Sequence, residues 1–139
     1  MEHEGGCHCG NLRLRLHLTR PPAEYATRSC SCSFCRAHAT RTLSDPDGRV
    51  EIRARDWALV ERYRFGSGTA DFLLCRTCGV YIGAVCETEQ GLCAVTNVNS
   101  LVDLEAFAPA SSFPDHDEEP VEARLARRAA NWTPAIVCR

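Results

Sequence analysis

The chain has 139 residues, 45% of them hydrophobic and 24% charged, with a formal net charge of −2. That composition fits one globular domain, residues 1–139, with a modest core. It excludes a nucleic-acid binder working through overall positive charge, and no apolar run approaches the ~20 residues of a membrane-spanning helix, so neither nucleic acid nor membrane is an expected partner.

The N-terminus, MEHEGGCHCG, is polar and lacks the apolar stretch of a signal peptide. A cytoplasmic location with reduced thiols is the expectation. LRLRLHL (12–18) places Leu12, Leu14, Leu16 and Leu18 on one face and Arg13, Arg15 and His17 on the other, which predicts a half-buried strand ended by Pro21-Pro22. DPDG (45–48) carries turn chemistry. LVERYRF (59–65) alternates again, with Leu59, Tyr63 and Phe65 on one face, and GSG (66–68) turns the chain into a further strand, ADFLLC (70–75). CRTCG (75–79) is a tight knuckle. VYIGAVC (80–86) and LCAVTNV (92–98), flanking ETEQG, predict a hairpin. PDHDEEP (114–120) is acidic and irregular. VEARLARRAANW (121–132) then has helical spacing, which predicts a helix over about 120–131 with Val121, Leu125 and Trp132 on its packing stripe. The fold class expected is mainly β with a C-terminal helix.

Ten cysteines are many for a reducing compartment, where clustered cysteines point to metal or redox chemistry. Cys7-x-Cys9 and Cys75-x-x-Cys78 are each too short to enclose a metal alone. Together they supply the four thiolates of a closed structural zinc site, with Gly10 and Gly79 turning the chain away; the alternative is four unligated buried thiols. Such a site would join segments about 65 residues apart, a costly loop closure that makes bound metal matter for stability. Cys30, Cys32 and Cys35 then have no cysteine pair to complete them. Three protein ligands and an exchangeable fourth position define a reactive zinc site, and a substrate thiol suits a vacancy beside three thiolates. The alternatives are closure by His38, His8 or Cys86, or no metal.

GCHCG (6–10), CSCSFCR (30–36) and CRTCG (75–79), in that order and at those separations, resemble the glutathione-dependent formaldehyde-activating enzyme family, which includes the centromere protein V-like domains. The resemblance runs over about residues 5–104, and TNVNSL (96–101) looks like a further family segment in which Asn99 stands for the usual glycine. It implies a compact, zinc-centred β-sheet fold like that of small Rab-binding zinc proteins. It implies two zinc ions per chain: a structural one on Cys7, Cys9, Cys75 and Cys78, and a catalytic-type one on Cys30, Cys32 and Cys35. The activity implied is that of a carbon–sulfur lyase acting on a thiol–aldehyde adduct such as S-hydroxymethylglutathione, releasing glutathione and formaldehyde.

Arg28, Arg36 and Arg41 bracket the three-cysteine motif. Arg36, directly after Cys35, is the candidate for gripping a substrate carboxylate, against the ordinary reading of a solvated arginine. His38 is either a proton shuttle or a plain core or surface histidine. Cys86 and Cys93 face each other across the predicted hairpin as buried thiols, and Cys138 lies at a frayed end. Two functions follow: a zinc-dependent lyase using a small thiol such as glutathione, or a non-catalytic zinc module that binds a partner protein.

Overall fold

The structure, a computed structural model, describes residues 1–138. Its strands are β1 (Glu2–Gly6), β2 (Leu12–His17), β3 (Thr42–Leu43), β4 (Arg49–Ala54), β5 (Val60–Tyr63), β6 (Asp71–Cys75), β7 (Tyr81–Thr88), β8 (Gly91–Asn97) and β9 (Thr133–Cys138). Two α-helices, α1 (Ser33–His38) and α2 (Val121–Asn131), and four short 3-10 turns complete the regular structure of the described residues. The chain is thus mainly β with a C-terminal helix, as its patterning predicts. No helix among the described residues is long and apolar enough to cross a membrane.

The strands form one sheet in the order β1-β2-β4-β9-β8-β7-β6-β5, with β3 pairing β8 beside β9. Only β4 and β9 are parallel. In β2 the alternation works as read: the leucines are buried and the arginines exposed. The leucines pack with Leu43, Val50, Ile52, Leu73, Ile82 and Leu101 in the main core. Strands β7 and β8 are apolar on both faces because both are covered: one faces the main core, and the other meets Trp132 and Leu125 through Ala84, Cys86, Cys93 and Val95. Cys86 and Cys93 are directly opposed in the β7–β8 register and are free thiols.

Several expectations need correction. The strand placed at 59–65 begins at Val60, because Asp56 caps a 3-10 turn over Trp57–Leu59. Its buried residue is Val60, while Leu59 and Tyr63 are exposed. Helix α2 buries Arg128 rather than Val121, which is 43% exposed; Trp132 is buried as expected, but it is the capping residue beyond the helix. Cys138 is not at a frayed end, since it closes β9 and pairs with Arg53 of β4. Asn99 lies in a 3-10 turn over Val98–Ser100. There its amide accepts from Arg41 Nε at 2.8 Å and donates to the Ala39 carbonyl at 2.9 Å.

Candidate functional site

The first cysteine group sits where two chain reversals meet. The Cys7–Gly10 knuckle joins β1 to β2, and the Cys75–Gly79 knuckle joins β6 to β7. Gly10 and Gly79 adopt positive φ of 89° and 80°, a backbone that a side chain would strain. The sulfurs of Cys7, Cys9, Cys75 and Cys78 all lie within 4.8 Å of one another, with Cys7–Cys9 at 3.7 Å and Cys9–Cys75 at 3.5 Å. Four thiolates about 2.3 Å from a tetrahedral zinc would be roughly 3.8 Å apart, so the donor set and its spacing fit that ion. Backbone N–H groups point inward: Leu12 N–H donates to Cys7 Sγ at 3.2 Å. Burial would raise the Cys78 thiol, but the N–H groups of Cys9 and Val80, together with hydrogen bonds from Cys75 and Cys7, outweigh it and hold the thiol down to about 6.

The second group is built differently. Cys32 is the N-cap of α1, its sulfur accepting from Cys35 N–H at 3.4 Å, and Ala39 ends the helix in the left-handed conformation. The sulfurs of Cys30, Cys32 and Cys35 lie within 4.8 Å of one another. Among the described residues no histidine, carboxylate or further cysteine joins either group. His8, His38 and Cys86 therefore do not close the three-cysteine site in this conformation. The hydrogen bond with Cys35 is the main reason that Cys30 is held down to about 5; Cys35, which shares the proton, is pushed up.

An aromatic cluster absent from the sequence reading holds α1. Phe34 lies at its centre, with ring centroids 4.5 Å from His38, 4.9 Å from Phe72, 5.0 Å from Tyr81 and 5.4 Å from Phe65. His38 is thus part of the packing that anchors the helix. Arg41 is also structural, donating to the carbonyls of Leu104 and Phe107.

The three cysteines line a cavity of about 280 Å³. Its aromatic wall is Phe65, Phe72, Tyr81 and Trp132, and its cationic wall is Arg28, Arg124, Arg127 and Arg128. Arg36 is exposed on α1 and is not part of the lining. Three of the four arginines come from α2, and His116 comes from the irregular acidic segment. That segment is tied to the cysteine motif by the backbone: Ser29 N–H donates to Ser112 O at 3.0 Å and Ser31 N–H to Pro114 O at 2.8 Å. Burial, and then Arg127, pull the His116 imidazolium below its ordinary pKa. Burial likewise lowers Arg28 and raises Tyr81.

No protein-family model matches the chain. It is similar to a protein of Rhodobacter sphaeroides whose crystal structure comes from a structural-genomics programme. The two are 32% identical over 71% of this chain and 87% of that one, with a TM-score of 0.51. At that identity and coverage they are relatives that share a fold over the aligned part.

Proposed function

We propose that the protein holds two zinc ions and is a zinc-dependent carbon–sulfur lyase acting on a thiol–aldehyde adduct, with S-hydroxymethylglutathione as the formal substrate. One observation carries this reading: three cysteine sulfurs converge on the wall of a cavity without a fourth donor side chain among the described residues. The four-cysteine site is complete and belongs to folding. At the three-cysteine site zinc would supply a Lewis-acidic position for the substrate sulfur and favour its thiolate.

The rest of the chemistry falls to the chain. Cleavage breaks the carbon–sulfur bond, the electron pair stays on sulfur, and the hydroxyl of the adduct becomes the carbonyl of the released aldehyde. The hydroxyl proton needs a base. His116 lines the cavity, and its lowered pKa leaves it neutral near pH 7 and able to accept that proton. Phe65, Phe72 and Trp132 reduce the water around the adduct, which strengthens the arginine field in the chamber. A reducing cytoplasm would keep the thiols, all ten free in the structure, available as ligands.

The test is metal analysis together with exchange of formaldehyde on glutathione, followed by NMR. Two zinc ions per chain and exchange faster than the uncatalysed rate, lost in Cys32→Ser, are expected. Two zinc ions with no acceleration would overturn the lyase and leave a non-catalytic zinc module.

A further inference from the structure

We infer, resting on the open metal site just proposed, that the cavity takes a compact anionic thiol whose acid group is held by Arg28, with Arg128 as the second cation. The four cavity arginines are not equivalent. Glu119 engages Arg127 with both oxygens, at 3.0 and 3.1 Å, and lies 3.5 Å from Arg124. Neither Arg28 nor Arg128 pairs with a carboxylate among the described residues. Arg28 is half-buried, and its guanidinium donates only to Ser44 Oγ, at 3.2 Å. Arg128 is 8% exposed, donates to Thr69 Oγ1 at 2.8 Å and Cys86 Sγ at 3.5 Å, and leaves its buried Nε without a partner. Arg128 is partly compensated, since its guanidinium lies 4.8 Å over the Trp132 ring and the hydrogen bonds of Cys93 and Arg128 hold the Cys86 thiol down to about 6. Arg28 has no carboxylate, and a buried guanidinium of that kind beside the chamber points to an anion that arrives with the ligand.

Charge and size agree. Glu119 and the exposed Asp117 offset two of the four arginines. Three thiolates on a divalent metal offset one more, so the loaded chamber keeps a positive charge. Arg28 and Cys30 are two residues apart on an extended segment bridged to Thr42 and Ser112, so they share a side with their Cα atoms about 7 Å apart. The metal end and the anion end are therefore neighbours. A volume of about 280 Å³ lies at the lower edge of the roughly 300–1,000 Å³ of most small-molecule sites, which suits a small thiol acid.

The experiment titrates the cobalt-substituted full chain with mercaptoacetate, neutral 2-mercaptoethanol and glutathione, reading the visible absorption bands. Mercaptoacetate should bind at least about tenfold more tightly than 2-mercaptoethanol, the range of a charge-assisted hydrogen bond, and glutathione, itself an anionic thiol, should share that preference. Arg28→Gln should erase that preference with the affinity for 2-mercaptoethanol unchanged, and Arg36→Gln should preserve it. If Arg28→Gln does not fold, Arg28→Lys keeps the charge, loses the planar fork and should cut the preference several-fold. Equal affinities for the two small thiols, or a preference that survives the Arg28 variant, would overturn the anion clamp while leaving the metal site intact. Bands that respond to none of the thiols would instead refute the open site, and the clamp with it.

Discussion

Asp45 is nearly inaccessible, yet its surroundings favour a charged carboxylate. Burial alone would raise its pKa. The Thr19 hydroxyl and N–H, the Tyr25 hydroxyl and the Asp47 N–H all donate to it, outweigh burial, and hold it well below the ordinary carboxylate range. Its backbone N–H donates to Thr133 Oγ1 at 2.8 Å, which ties the turn to β9. Asp45→Asn turns one acceptor into a donor facing hydroxyls and amides already committed as donors. A loss of about 2–4 kcal/mol at neutral pH is expected from urea unfolding. The folded pKa lies below the unfolded value of about 3.9, so this stability is present above pH 4 and is lost as the pH falls through the folded value. The gap between wild type and variant should narrow on acidification; a gap independent of pH would mean that the charge contributes nothing. DPDG was legible as a turn, but not as a buried acid, because all the donors but the Asp47 N–H come from residues 19 and 25.

At the scale of elements, β9 has the largest consequence for its length. It lies between β4 and β8, so it joins the β1-β2-β4 side of the sheet to the β5–β8 side. Deleting everything from Thr133 onward should leave two open edges and an insoluble or unfolded product, checked by circular dichroism and gel filtration. A folded, monomeric truncation would show that the two sides hold without it. The sequence hides this strand because Pro134 argues against a central position, where a proline cannot donate to the ladder. The proline sits near the start of β9, opposite Cys93, where the strand has only begun to pair. Strand β1, EHEGG, carries no apolar alternation and is equally silent. Strand β2 and the β7–β8 hairpin were legible because burial imposes a pattern or an apolar run on them. Helix α2 was legible as a helix but not in its packing, because the surface beneath it includes a chamber that accepts Arg128 as well as an apolar core.

Across the whole molecule, the two cysteine groups that could hold metal were legible and the chamber was not. Ligation demands one residue type at short spacings, and that survives in the sequence. Convergence of Arg28, His116 and the arginines of α2 depends on backbone bonds between distant segments, which leave no local signature. The same division separates the sites energetically. The four-cysteine group staples the β1–β2 turn to the β6–β7 turn, with Cys9 and Cys75 in contact across 66 residues of chain. Structural zinc in small domains contributes about 10–16 kcal/mol, as much as the whole stability of a typical domain. Cys75→Ser should therefore aggregate or unfold the protein. The three-cysteine group lies largely within one segment and closes no long loop. Cys32 is also the N-cap of α1, a position where serine is among the preferred residues, so Cys32→Ser keeps the helix start. That variant should hold close to one zinc ion per chain by metal analysis, against two in the wild type, with a melting temperature within a few degrees of it, on the order of 1 kcal/mol. His38→Ala should keep both ions, since His38 packs on Phe34 and stands outside the sulfur group. If His38→Ala loses one ion as Cys32→Ser does, histidine closes the second site and the open position does not exist. If Cys32→Ser unfolds as Cys75→Ser does, both sites serve folding, and the division of labour between them is wrong.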